Sequence, residues 1–251
     1  MLDVDAEKLV DGVPLPRGWH FVLMGADTPR SALRADGFPG LGVPIPDLGL
    51  PRLMLGGRSV SYRQDIPIGA TVHRTSAIKS IVHKTSDAGP MAIAKITNEL
   101  RIADHEAPAV TEEQTYLLLG AGKAASDHRA AAAPPPVDVR TRVVVPDETM
   151  LFQYSALGFN SHKIHLDRSH AQNVEGFPDL VVNGGLATLL MTEFLRRELG
   201  ASPVTLKVRH MAPLYCDRPI TLTARREPGQ WRLTALDDKY LSAVEMEVEV
   251  E

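Results

Sequence analysis

Between Leu151 and Gly185 the chain gathers side chains that can move a proton or hold an oxygen atom: Tyr154, Ser155, Asn160, Ser161, His162 and His165, then Asn183, Gly184 and Gly185. An imidazole has an ordinary pKa near 6.5, so His165 is suited to take a proton from water and return one near neutral pH. Asn160 offers a carboxamide, which donates and accepts hydrogen bonds but does not ionise. Asn183-Gly-Gly185 opens an apolar stretch from Leu186 to Leu199 that Gly200 closes. Asn is a good N-cap and Gly a common residue just past a C-terminus, so both ends of a helix are signalled. A helix start presents unpaired N–H groups and about half a positive charge, which suits an oxygen gaining negative charge. Glycine at 184 and 185 lets a ligand approach that backbone closely. A thioester carbonyl that becomes an enolate is one ligand that would benefit.

Each of these residues also has a plain reading. With nine histidines in 251 residues, the pair His162 and His165 is unremarkable by itself. A zinc site built on His162-x-x-His165 lacks a third ligand at a recognisable spacing, so no metal is expected. Tyr154 and Ser155 either line a pocket or brace the loop, and Gly184 and Gly185 could simply permit tight helix entry. Ser155 is no nucleophile, because no Gly-x-Ser-x-Gly elbow surrounds it. Asp167 reads as a cap for Arg168 to Asn173. Arg209 and Arg218 read as members of a solvated face in preference to partners for a cofactor phosphate. Cys216 carries no local mark of activation.

The elements that must position these groups follow from periodicity. Before residue 122, alternation predicts strands over 58–63, 71–84, 91–104 and 109–119, for example Ile93, Lys95, Thr97 and Glu99 against Ala92, Ala94, Ile96 and Leu100. A short, interrupted helix is predicted over 19–33, and a Pro- and Gly-rich loop over 37–53. Gly122 to Asp138 gathers Ala and three consecutive prolines, which predicts a linker between residues 1–121 and 139–251. After it come a strand (139–145), a short helix (150–157), the apolar helix, and strands over 204–215, 220–226, 231–236 and 241–250. Leu186, Leu190 and Phe194 share one helix face, with Leu189 and Leu195 widening it, so that helix should be buried. A meander wrapped around a buried helix is the hot-dog arrangement, and two strand-rich halves predict an α+β double hot dog.

Composition narrows the partners. Hydrophobic residues make up 44% and charged residues 23%, which supplies a core and excludes wholesale disorder. A net charge of −4 without a basic run gives no footprint for nucleic acid. The apolar stretches fall short of the roughly 18 residues that span a bilayer, the acidic N-terminus has no signal-like apolar core, and one cysteine forms no internal disulfide. A cytoplasmic protein without membrane contact is expected.

The run Asn160-Ser-His-Lys-Ile-His-Leu-Asp167 resembles the Asp-x-Asn-Pro-x-His-x-Asp motif of MaoC-like, R-specific enoyl-thioester hydratases and dehydratases. Phe152 to His165, Leu15 to His20, Pro51 to Gly57 and Pro67 to Gly69 look closer still to the double hot-dog branch that holds mesaconyl-CoA (3-methylfumaryl-CoA) hydratases and type 2 hydroxyacyl-thioester dehydratases. The resemblance implies that His165 falls on the catalytic histidine, Asn160 on the catalytic acid, and Gly184 on the N–H that binds the thioester oxygen. It implies a substrate site around Tyr154, Ser155, His162, Asn183 and Gly185, with Trp19, His20 and Met54 as candidate acyl contacts from a first half that lacks a polar cluster of its own. It implies a CoA-thioester substrate and no cofactor, and a homodimer is compatible with it. Two departures stand out: Asn160 is an amide where the general motif has a carboxylate, and Asn183 stands where close relatives often have His. A hot-dog thioesterase and a non-catalytic acyl-thioester binding module are the rival readings.

Overall fold

The computed structural model describes residues 1–86, 89–122 and 130–250. Before the segment 123–129 lie β1 (Arg52–Tyr62), β2 (Val72–Ser86), β3 (Gly89–Ile102) and β4 (Val110–Leu119). After it lie β5 (Arg140–Val144), α1 (Glu148–Leu157), α2 (Gly184–Glu198), β6 (Pro203–His210), β7 (Ile220–Glu227), β8 (Gln230–Leu236) and β9 (Ser242–Val250). All the strands join one antiparallel sheet in the order β2-β3-β4-β1-β6-β9-β8-β7-β5. This is an α+β hot-dog fold, as the alternating patterns predict. Every expected strand is present, though β1 starts at Arg52 and β6 ends at His210. Of the Ala- and Pro-rich segment, residues 123–129 lie outside the described ones, and 130–138 run largely exposed on the surface.

The strand faces follow the sequence alternation. On β3, Ala92, Ala94, Ile96, Asn98, Leu100 and Ile102 are buried, while the intervening residues are half-buried. On β9, Ala243, Val244, Met246 and Val248 turn inward and the glutamates outward. α2 lies against the concave side of the sheet with Leu186, Leu189, Met191, Phe194 and Leu195 fully buried. Its length of apolar surface is the centre of the main core, which takes in Val60, Tyr62 and Leu100 from before the segment 123–129 and Leu206, Leu233 and Met246 from after it.

One expectation needs correction. Among its described residues the first half holds no α-helix: its core-facing side is covered by a 3₁₀ helix, Trp19–Met24, and by the loop around Phe38, Leu41 and Leu50, which packs on Ala92, Ala94, Ile96 and Leu118. Prolines at 39, 44, 46 and 51 remove backbone donors and fix φ throughout that loop, so no helix can form there. The predicted helix over 19–33 is broken at Gly25 and Pro29: Arg30–Ala32 forms a separate short 3₁₀ helix, and the first part is the 3₁₀ helix Trp19–Met24. It is anchored to α2 instead: Trp19 Nε1 donates to Glu193 at 2.9 Å, and Gly18, at φ 102°, leaves room for Thr192.

The junction of the two strand sets is the β1–β6 pair, and β1 is irregular where they meet. A bulge between Leu55 and Gly57 switches the side-chain parity, so that Leu53 and Leu55 before it share a face with Arg58, Val60 and Tyr62 after it. Gly57 is required, because a Cβ there would stand 2.5 Å from the Val208 carbonyl oxygen. Gly57→Ala should therefore destabilise the protein by about 2 kcal/mol or more, read as a lower urea midpoint. Unchanged stability would mean that β1 and β6 separate easily.

Candidate active site

A cleft of about 320 Å³ opens where the bulge of β1, the start of α2 and the loop after α1 meet. His165, Asn160, His162, Tyr154, Asn183, Gly184 and Gly185 all line it, so the chain brings together seven of the eight residues singled out by sequence. Ser155 is the exception. It is buried beside the cleft and accepts a hydrogen bond from Asn183 Nδ2 at 3.2 Å, so it braces the loop. Among the described residues that line the cleft there is no carboxylate, serine, threonine or thiol.

His165 sits in a single 3₁₀ turn, Lys163–His165. Its Nδ1 lies 2.7 Å from the Val181 carbonyl oxygen, an atom that only accepts. Nδ1 must therefore carry the proton, which leaves the lone pair on Nε2. Burial holds its pKa down at about 3, and neighbouring His162 pushes the same way. His162 stands edge-on to His165 with ring centroids 5.5 Å apart, and burial lowers it to about 4 even though Asp36 lies 3.6 Å from its Nε2. Asp36 is itself held by Arg34 and by the Phe38 N–H. Both imidazoles are thus neutral at ordinary pH.

Asn160 Oδ1 accepts from the His162 N–H at 3.1 Å. That bond closes an Asx turn ahead of the histidine and leaves the amide NH₂ as the free donor. Asp167 caps the next turn through the His170 N–H at 2.9 Å, as its position predicts.

α2 begins at Gly184, two residues earlier than the apolar pattern suggests, with Asn183 at the N-cap position. Contrary to expectation, the Asn183 side chain does not cap: it is turned to Ser155, and its Oδ1 is buried without a partner. The first helical bond is Ala187 N–H to Asn183 O, so the N–H groups of Gly184 to Leu186 have no partner within the helix. The glycines are there because neighbours press on them. A Cβ on Gly184 would stand 3.1 Å from Leu55 Cδ2 and 3.2 Å from His210 Cε1; on Gly185 it would overlap the Tyr154 hydroxyl, 2.9 Å from its Cζ.

The first half supplies more than apolar wall, and here the sequence reading falls short. Arg58 and Gln114 line the cleft, and Glu112 is buried behind them. Arg58 Nη1 pairs with Glu112 Oε1 at 3.2 Å; Gln114 donates to the same oxygen at 2.9 Å; His20 Nε2 meets Oε2 at 2.7 Å. Burial alone would raise the Glu112 carboxyl, but Arg58 and His20 outweigh it and hold it at about 2. Of the three expected acyl contacts, Met54 lines the cleft, while Trp19 and His20 do not: they are tied to Glu193 and Glu112. Phe21 and Met24 take their place, Phe21 stacked on Tyr154 at 4.8 Å. His210, at the end of β6, was also missed; burial lowers it to about 3, and its Nε2 has no partner. The remaining candidates are plain. Arg209 pairs with Glu245 on the surface, and burial pushes the Cys216 thiol up to about 12.

A family model described as hydroxyacyl-thioester dehydratase type 2 matches residues 18–216. The chain belongs to that family. It is 35% identical over 237 residues to the mesaconyl-C(4)-CoA hydratase of Chloroflexus aurantiacus, covering 94% of this chain and 84% of the relative. It is 23% identical to the mitochondrial type 2 hydroxyacyl-thioester dehydratase of Schizosaccharomyces pombe, over 86% of this chain and 80% of the relative. The crystal structure of HtdX from Mycobacterium tuberculosis superposes with a TM-score of 0.66 at 16% identity, covering 95% and 89% of the two chains. Like its family, this dehydratase-type chain is an enzyme of acyl-thioester hydration and dehydration. No helix among the described residues is long and apolar enough to cross a membrane, and none of their His, Cys, Asp and Glu side chains form a metal-holding group of three.

Two outcomes are expected. Gly185→Ala should displace the Tyr154 ring and cut turnover by about 10²-fold, measured by steady-state kinetics on protein shown to be folded; near-normal turnover would show that the first turn of α2 has room to move. The second concerns acid. His162, His165 and His210 have folded pKa values below the unfolded value of about 6.5, so the unfolded chain binds more protons between pH 6.5 and about 4, and stability must fall as pH drops through that window. The size is on the order of 1 kcal/mol per histidine per pH unit. Thermal midpoints should be level above pH 7 and decline from 6.5 to 5; a flat curve would contradict neutral burial.

Proposed function

We propose that the chain reversibly adds water across the α,β double bond of an enoyl-CoA, with His165, Asn160 and Gly184 as the groups that touch the reacting atoms. The observation that carries this reading is the fixed tautomer of His165: with Nδ1–H donated to Val181, Nε2 is an acceptor on the cleft that also holds the uncapped start of α2. A water that accepts from the Asn160 amide and donates to His165 Nε2 has its oxygen lone pair free for Cβ. As the C–O bond forms, the proton passes to Nε2 and the π electrons move onto the thioester oxygen, which the Gly184 N–H receives as an enolate. The imidazolium then returns its proton to Cα and the enolate collapses to the 3-hydroxyacyl thioester. Dehydration is the reverse. Burial disfavours the imidazolium, so the proton is passed on promptly and the developing enolate offsets its charge in the meantime.

Among the described residues that line the cleft there is no carboxylate, serine or thiol, which supports hydration over thioester hydrolysis. The C. aurantiacus relative acts on mesaconyl-C(4)-CoA by its name, and the same acyl class, a branched C4 or C5 dicarboxylic acyl-CoA such as 3-methylfumaryl-CoA, is the substrate proposed here. Loss of enoyl-thioester absorbance with crotonyl-CoA, 3-methylfumaryl-CoA and itaconyl-CoA tests the reaction directly, and thiol release detected with DTNB would point to the thioesterase instead.

His165→Ala should abolish hydration in a folded protein. Asn160→Ala should lower kcat by about 10²-fold with a smaller change in KM; parental activity would reduce Asn160 to a loop brace. Because the His165 pKa lies near 3 and Asn160 does not ionise, kcat should hold level from pH 8 to 5 and fall only below that. A midpoint near 6.5 would show a water-exposed imidazole.

A further inference from the structure

Arg58 is a buried cation that the proposed reaction does not use. Its side chain is 9% exposed, and Glu112 occupies one corner of the guanidinium, at Nη1. The other edge meets no acid: Nε is buried without a partner, and Nη2 lies 3.3 Å from where a Cβ on Gly185 would stand, a place that the Tyr154 hydroxyl fills at the first turn of α2. Two parallel N–H groups on one edge match the two oxygens of a carboxylate. Within the same cleft His210 Nε2 is likewise buried and unpartnered. Closing a hydrocarbon tail over such groups would leave them unpaired, at a cost of about 1–3 kcal/mol each.

We infer that the acid-free edge of Arg58, beside the Tyr154 hydroxyl on the cleft, is a subsite for the distal carboxylate of a dicarboxylic acyl thioester. This rests on the enoyl-thioester reading above. Glu112 does not compete for the subsite, since Arg58, Gln114 and His20 already occupy both its oxygens. Its role is to neutralise the guanidinium when the cleft is empty and to aim the acid-free edge at the substrate.

Binding without turnover isolates this subsite. Calorimetry with succinyl-CoA and butyryl-CoA, equal in chain length and inert to hydration, should show the parent protein preferring succinyl-CoA by about 30-fold or more. Arg58→Gln leaves Glu112 buried without its cation, so the double variant Arg58→Gln/Glu112→Gln is the fold-preserving partner. Both should lose the preference, and Arg58→Lys, a point charge without the fork, should keep only part of it. No preference in the parent, or a preference unchanged in the double variant, overturns the proposal; if neither Gln variant folds, the parent comparison and Arg58→Lys decide. A preference for succinyl-CoA in a protein that hydrates no enoyl-CoA would sink the reaction and leave the subsite. Hydration of crotonyl-CoA without any such preference would do the opposite.

Discussion

A helix that begins inside a protein leaves its first N–H groups without backbone partners, and this requirement organises the structure around it. α2 is buried along most of its length, so its start lies deep against the sheet, and the side chain at its N-cap position is turned away to Ser155. Gly184 and Gly185, which carry two of the unpaired donors, therefore border a cleft instead of a cap. Tyr154, Arg58, Leu55 and His210 close in on those first residues so tightly that only glycine fits. Donors fixed in this way need no reorganisation when negative charge forms beside them.

Burial also decides what the charged and titratable groups of the cleft can do. Imidazoles at 162, 165 and 210 are kept neutral by desolvation, and one hydrogen bond to a carbonyl fixes which nitrogen of His165 keeps its lone pair. Arg58, the one cation among the described residues that line the cleft, persists because Glu112 shares its burial. A paired buried charge is weak evidence of added stability, since desolvation cancels much of the attraction. A cation retained in such a place is better explained by recognition than by folding.

The two strand sets contribute unequally, and the sheet explains how they cooperate. α2, Asn160 and His165 come from the residues after the segment 123–129, while Arg58, Glu112, Phe21 and Met24 come from those before it. The β1–β6 pair and the bulge at Gly57 bring the sets to one cleft. Where the described residues of the first set hold no central helix, a proline-bearing loop and a 3₁₀ helix cover the sheet, and the cleft opens beside them.

Local chemistry made part of this legible in the sequence. Strict alternation marked β3 and β9, because a residue's face on a strand depends on parity alone. Apolar spacing and the flanking glycines marked α2, and the polar run from Tyr154 to His165 pointed at the site. Other features depend on what lies opposite, which no local pattern carries. The alternation of Val110, Glu112, Gln114, Tyr116 and Leu118 puts polar residues on a core-facing row, but that row reads as solvated until the sheet shows which face is buried. Arg58 looks like any strand arginine until the bulge at Gly57 turns it inward. His20 and Trp19 looked like acyl contacts and became anchors, because Glu112 and Glu193, far away in sequence, needed partners once buried. The residues that could do chemistry were written in the chain; their protonation states, and the charge they share a cleft with, were decided only by the burial that tertiary packing imposes.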